Sequence, residues 1–154
     1  MRIIEPTRAA HTYRQRLHAP AAKVFPLLCP IREIEWADGW QPTLVVSASG
    51  VVEPDCVFTT PDGNSEAIWY VTRHEPESFY VEMLKITPEV TACRLDIRVL
   101  PDGEECFVDV SYAHTSLGPE GDRLVAKFTA DYYRQFMQTW ERELNHFLST
   151  GRKA

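Results

Sequence analysis

Over residues 11–18 more and less polar positions alternate, with Tyr13, Gln15 and Leu17 on one side and Thr12, Arg14 and Arg16 on the other. A period of two predicts a strand with one moderately apolar face. Residues 1–10 carry no strong periodicity and are expected to form an N-terminal arm, which leaves one domain over 11–150. Pro20 sits where a first helical residue loses least by lacking an N–H. Pro26 ends that helix within two turns, since it cannot donate to the carbonyl of Ala22. Pro30 starts a second short helix over 31–36, closed by the turn Asp38-Gly39.

The middle of the chain reads as strands over 44–49, 56–59, 66–74, 78–86, 90–100 and 105–115, rich in Val, Ile, Phe, Tyr and Thr. Asp62-Gly63, Pro76, Pro88 and Pro101-Asp102-Gly103 separate the later ones as hairpin turns. Such short connections make the strands antiparallel neighbours in chain order. In the sixth strand Cys93, Leu95, Ile97 and Val99 alternate with Arg94, Asp96 and Arg98, so the apolar set faces inward. A four-residue loop over 101–104 then pairs Val99 with Cys106, Ile97 with Val108 and Leu95 with Val110, turning Cys106, Val108, Val110, Tyr112 and His114 inward too. In the fifth strand, Phe79, Val81 and Met83 inward leaves Glu82 outside beside Arg94, whereas the opposite register buries that carboxylate at a cost. The fourth strand fits two registers, with either Trp69, Val71 and Arg73 or Ile68, Tyr70, Thr72 and His74 inward.

The last segment, 119–148, reads as one helix of about 30 residues, roughly 45 Å long. Val125, Thr129, Tyr132, Tyr133, Phe136, Met137, Trp140, Leu144, Phe147 and Leu148 share one side. Lys127, Asp131, Arg134, Gln138, Glu141, Arg142 and Asn145 hold the other. With Phe128 the apolar band reaches roughly 200°, wider than the stripe that caps a core. Either a curved sheet wraps the helix deeply, or the band includes a second contact surface such as a homodimer interface.

The expected fold is therefore α+β: a seven-stranded curved antiparallel sheet, two short helices after the first strand, and a long C-terminal helix in the concave face. This order resembles the helix-grip fold of the START-like (SRPBCC) superfamily, with polyketide cyclases, lipid-transfer domains, plant hormone receptors and chaperone-activating domains. The resemblance covers residues 11–148. It rests on Leu17-His18-Ala19-Pro20-Ala21-Ala22-Lys23-Val24-Phe25, Glu33-x-x-Trp36-x-x-Gly39-Trp40, Thr72-Arg73-His74, Thr87-Pro88 and Pro119-Glu120-Gly121. It implies a cavity for a hydrophobic small molecule such as a lipid, terpenoid or aromatic polyketide. Polyketide cyclase or dehydratase-like chemistry and a chaperone-activating type of protein contact are the alternatives it carries.

The inward pattern gives that cavity its expected lining: Tyr13, Met83, Leu95, Val110, Tyr112 and His114 from the sheet, facing Tyr133, Phe136, Met137 and Trp140 of the helix. Trp36 and Trp40 are expected to close its mouth, or to form an exposed aromatic patch if the protein is an interaction module. Apolar walls with a few polar anchors suit small-molecule sites. If a reaction is catalysed, Tyr112, His114 and an inward Arg73 are the candidate acid–base groups. Plainer structural roles stand beside these: Tyr112 as a core tyrosine whose hydroxyl finds a backbone partner, His114 as a hydrogen-bonded structural residue, and the helix aromatics as ordinary core.

Charge and motifs narrow the picture. With 16 Lys+Arg against 22 Asp+Glu the net charge is -6, which disfavours sequence-independent nucleic-acid binding. No apolar run approaches a membrane span, and the N-terminus lacks a signal-type stretch, so a soluble cytoplasmic protein is expected. Cys29, Cys56, Cys93 and Cys106 form no C-x-x-C pair and are expected to be free thiols. Glu143-x-x-His146 is half of a di-metal motif with no second half, no zinc spacing exists, and no Gly-rich phosphate loop is present. No metal and no cofactor are expected.

Overall fold

Seven strands form one antiparallel sheet in the order β1-β7-β6-β5-β4-β3-β2. The computed structural model describes all 154 residues. The strands are β1 (Arg8–Leu17), β2 (Leu44–Val46), β3 (Val57–Asp62), β4 (Ser65–Glu75), β5 (Tyr80–Thr87), β6 (Thr91–Asp102) and β7 (Glu105–Ser116). β1 begins inside the expected arm because Arg8 already pairs with Thr115 at the far end of β7. After β1 come the short helix α1 (Ala21–Val24) and 3-10 turns over Phe25–Leu28 and Arg32–Glu35. Two helices close the chain, α2 (Pro119–Lys127) and α3 (Ala130–Thr150). This is the helix-grip architecture, with the sheet curved around the C-terminal helix and the four cysteines free and buried in its core. No helix is long and apolar enough to cross a membrane.

Four details depart from the sequence pattern. The β6–β7 turn has two residues, Gly103-Glu104, with Gly103 in the left-handed region at φ 63°. Pairing therefore runs on through Pro101 and Asp102, and Val99 faces Val108, Ile97 faces Val110 and Leu95 faces Tyr112. The shift is two residues, so every side chain keeps its expected face. On β5, Val81 and Met83 are buried as expected, but Glu82 lies opposite Asp96 while Leu84 faces Arg94. Glu82 instead accepts hydrogen bonds from the Thr72 hydroxyl at 2.9 Å and the Tyr80 hydroxyl at 3.2 Å.

β4 follows neither simple register. Ala67, Trp69 and Val71 point inward, a bulge at Thr72 interrupts the pairing, and the parity then reverses. One extra residue is what a bulge inserts. Beyond it His74 stacks on Phe25 at 5.6 Å, while Arg73 stands exposed on the outer face.

The C-terminal segment is two helices rather than one. Phe128 leaves the helical conformation at φ -80°, ψ 62°, and Thr129 caps α3, its hydroxyl oxygen accepting from the Tyr132 N–H at 3.1 Å. The freed Phe128 carbonyl lies 2.8 Å from the His11 imidazole Nε2. The apolar band is broad because it belongs to two helices. Gly121 and Val125 of α2, and Tyr133, Met137 and Leu144 of α3, are buried, whereas Tyr132 and Phe136 are left at the edge.

Polar contacts lock α3 along β1. Gln15 donates from Nε2 to the Met137 carbonyl at 3.0 Å, and the Tyr133 hydroxyl donates to the Val110 carbonyl at 2.5 Å. Glu141 and Asn145, from the polar side of the helix, serve the free edge of β1. The Arg16 N–H donates to Glu141 at 2.6 Å, and Asn145 accepts from the His18 N–H and donates to the Arg16 carbonyl, both at 2.9 Å. An edge strand otherwise leaves such backbone groups unpaired.

Candidate functional site

Between the concave face of the sheet and the α2–α3 junction lies an open cleft of about 610 Å³. The curvature of β3, β4 and β5 away from the helices makes one wall, and the bend at Phe128 makes the other. Trp40, Trp69, Phe128, Tyr132 and Phe136 supply aromatic surface. Trp40, half-buried after the second 3-10 turn, is held by its indole N–H on the Pro30 carbonyl at 2.6 Å and meets Trp69 edge-on at 5.8 Å. Trp69 donates from its own indole N–H to the Thr60 hydroxyl at 2.9 Å.

Polar groups converge on the same space by continuing the inward alternation of their strands beyond its apolar part. Asp62 follows Phe58 and Thr60 on β3, Lys85 and Thr87 follow Val81 and Met83 on β5, and His114 follows Val110 and Tyr112 on β7. Lys85 Nζ lies 3.1 Å from Asp62 Oδ2 and 5.4 Å from the centre of the Trp69 ring. The Thr87 hydroxyl donates to Asp62 at 2.7 Å. Burial alone would raise the Asp62 pKa, but Thr87 and Lys85 outweigh it and hold the carboxyl below its ordinary value. Glu120, Arg123 and Lys127 of α2 form a charged rim.

Tyr112 and His114 carry the chemistry of the cleft floor. His114 is 7% exposed, its ring meets Phe128 edge-on at 4.6 Å, and its Nδ1 is buried without a hydrogen-bond partner. Burial, reinforced by Lys85 and opposed by Asp62, lowers its pKa to about 4, so the imidazole is neutral at pH 7. Tyr112 is 8% exposed, and burial drives its pKa well above 10. Its hydroxyl, unlike that of Tyr133, is bonded to no backbone carbonyl.

Behind the floor sits a second space of only about 10 Å³, roughly the room of one water molecule. Trp40, Trp69 and Tyr112 are walls of both spaces; Pro30, Phe58, Met83, Leu95 and Trp140 complete the inner one. One carboxyl lines it. Glu33, from the second 3-10 turn, is 4% exposed, and burial raises its pKa to about 8 with no hydrogen bond to offset it.

The expected lining is thus divided. Trp40, Tyr112, His114 and Phe136 line the cleft; Met83, Leu95 and Trp140 line the inner chamber, which also borders Trp40 and Tyr112. Val110 and Met137 are sealed core at 0% exposure and border neither space. Trp36 is also core, donating to the Leu27 carbonyl at 2.7 Å and packed edge-on against Trp140, so it neither closes a mouth nor forms an exposed patch. Tyr13 and Tyr133 border a separate groove on the other side of α3, with His11 and Arg134. Arg73 is excluded from the site by the β4 bulge. It pairs with Glu75 at 2.7 Å and lies over the Tyr80 ring on the outer face.

No protein-family model matches the chain, and no curated protein sequence does. Solved structures match it over nearly its full length. A point mutant of norcoclaurine synthase from Thalictrum flavum in complex with a transition-state analogue superposes with a TM-score of 0.68 at 10% identity, covering 94% of this chain and 96% of that one. DynU16, from the dynemicin biosynthetic locus, gives 0.62 at 15% identity over 93% of this chain and 48% of its own. Ara h 8.0201 gives 0.61 at 14% identity over 92% and 100%. At these identities the likeness is one of fold.

Proposed function

We propose that the protein binds a mainly apolar small molecule bearing an oxygen function in the cleft between the sheet and the α2–α3 junction. The observation that carries this reading is an aromatic-walled cleft of about 610 Å³ whose floor carries the Tyr112 hydroxyl, without a hydrogen bond to the protein, beside a neutral His114 whose buried Nδ1 is also unpaired. Polar atoms inside a protein are normally hydrogen-bonded, and an oxygen of a bound ligand would give the Tyr112 hydroxyl the partner that the protein does not. A structure of norcoclaurine synthase from Thalictrum flavum in complex with dopamine and hydroxybenzaldehyde has that protein, on the same fold, holding aromatic small molecules. The same neutral histidine and tyrosine suit acid–base work on a bound carbonyl compound; conversion of the bound ligand into a product separates catalysis from carriage.

The test is a fluorescence titration with naphthalene-based probes on the wild type and on Leu124→Trp. Leu124 borders the cleft from α2 and is only half-buried, so an indole there fills the space without overpacking the core. Micromolar uptake by the wild type, weakened about tenfold or more in the variant, supports the reading. Equal binding by both, or none by the wild type, refutes it.

A further inference from the structure

Glu33 is the one element of this region that the cleft alone does not use. A carboxyl group 4% exposed, with no hydrogen-bond partner, faces a chamber otherwise walled by Pro30, Phe58, Met83, Leu95 and three tryptophans. The one other polar side chain of that chamber is Tyr112, whose hydroxyl is also unbonded and which borders the outer cleft as well. An acid in such surroundings keeps its proton, and a protonated carboxyl is a donor. A tyrosine hydroxyl is another. Glu33 and Tyr112 are close enough for the carboxyl to act electrostatically on the phenol, and both residues border a space of about 10 Å³, room for one oxygen atom. Trp40 is the half-buried member of the shared wall and sits on a loop rather than in a strand, so joining the two spaces requires its indole to turn off the Pro30 carbonyl.

We propose that the outer cleft and the inner chamber are one binding site, and that the acid form of Glu33 and the hydroxyl of Tyr112 together hold the carbonyl oxygen of a ketone whose apolar body lies in the cleft. The proposal rests on the cleft-binding reading and adds the ligand's functional group and a residue to it. It also explains why a chain would keep a carboxyl where a leucine would pack at less cost. The neutral acid donates a hydrogen bond without needing a counter-charge. Its carboxylate would repel the same oxygen.

The probes are methyl naphthyl ketone and isopropenylnaphthalene, a hydrocarbon of nearly the same shape. The wild type should favour the ketone by about tenfold, the scale of one or two net hydrogen bonds. Glu33→Leu and Tyr112→Phe should each reduce that preference several-fold, read as the ratio of ketone to hydrocarbon affinity within each variant. Glu33→Gln, which retains an N–H donor, should keep part of it. The carbonyl stretch of the bound ketone should lie below its value in hexane and move back up in Glu33→Leu. Above about pH 8 the preference should fall in the wild type as Glu33 ionises, and not in Glu33→Gln. Of the other titratable groups facing this region, Tyr112 lies well above 10, Cys93 of β6 at about 11, His114 of β7 at about 4 and Asp62 of β3 below its ordinary value. Lys85 of β5 and Glu120, Arg123 and Lys127 of α2 line the outer cleft and not the chamber. Equal affinity for ketone and hydrocarbon, or a preference untouched in Glu33→Leu, overturns the proposal while leaving cleft binding intact. Failure of both probes to bind removes the cleft reading, and this proposal with it.

Discussion

Glu33 and His114 make opposite contributions to the pH dependence of stability. Glu33 loses its proton near 4.5 in an unfolded chain and near 8 in the fold, so the folded state holds the extra proton between those values. Stability is fully retained below 4.5 and falls as pH rises toward 8, by up to about 1.4 kcal/mol per pH unit. His114 is lowered from 6.5 to about 4, so its contribution is present above 6.5 and is lost as pH falls through 4. The two oppose each other in the acidic range, and from 6.5 to 8 Glu33 acts alone. Urea denaturation of Glu33→Gln should therefore lack the wild type's fall between pH 6.5 and 8; an unchanged fall would show that the carboxyl is not held as its acid. The sequence pattern pointed to Tyr112 and His114 because each continues the alternation of a clearly apolar strand. Lys85 and Asp62 obey the same rule on β5 and β3 and would have emerged by extending the alternation past the apolar residues. Glu33 had no such signal. A charged residue on a four-residue 3-10 turn has no amphipathic period to betray which way it points.

At the scale of elements, the departures come from local backbone events that a periodicity averages away. The break at Phe128 is marked by Thr129 followed by Asp131, a capping residue with an acid in the next turn, inside a band that otherwise reads as continuous. The bulge at Thr72 reverses the side-chain parity of β4, which is why neither simple register describes the whole strand and why Arg73 leaves the site. The inward set on β6 and β7 survived an error in turn length because that error was even. The seating of α2 depends on one residue without a side chain. A Cβ on Gly121 would stand 1.9 Å from the Val90 carbonyl oxygen and 2.7 Å from the Ser116 hydroxyl oxygen. Since backbone cannot yield as a flexible side chain does, Gly121→Ala should lift α2 from the β5–β6 turn and cost about 1–3 kcal/mol in chemical denaturation. Probe affinity in the cleft should change with it, because Glu120, Arg123, Leu124 and Lys127 are carried on the same helix. Wild-type stability in that variant would contradict the close seating.

For the molecule as a whole, a sheet that grips α3 along β1 but opens toward β3 and β4 divides the concave face into two parts. On the β1 side the face is packed: Gln15, Val110, Tyr133 and Met137 are buried, and side-chain bonds tie helix to strand. On the other side the bend at Phe128 seats α2 on β7 and the β5–β6 turn, and the cleft fills the space left between these helices and the strands β3 and β4. The open cleft lies away from the expected position, displaced from Val110 and Met137 toward Trp69, Lys85 and Phe128. The most direct test is a crystal structure with a bromo derivative of methyl naphthyl ketone, located by the anomalous signal of the bromine. The account predicts the bromine in the outer cleft, the ring between Trp40, Trp69, Phe128 and Phe136, and the carbonyl oxygen directed to Tyr112 and Glu33. A bromine in the groove beside Tyr13 and Arg134, or on the outer face of the sheet beside Arg73, would contradict it.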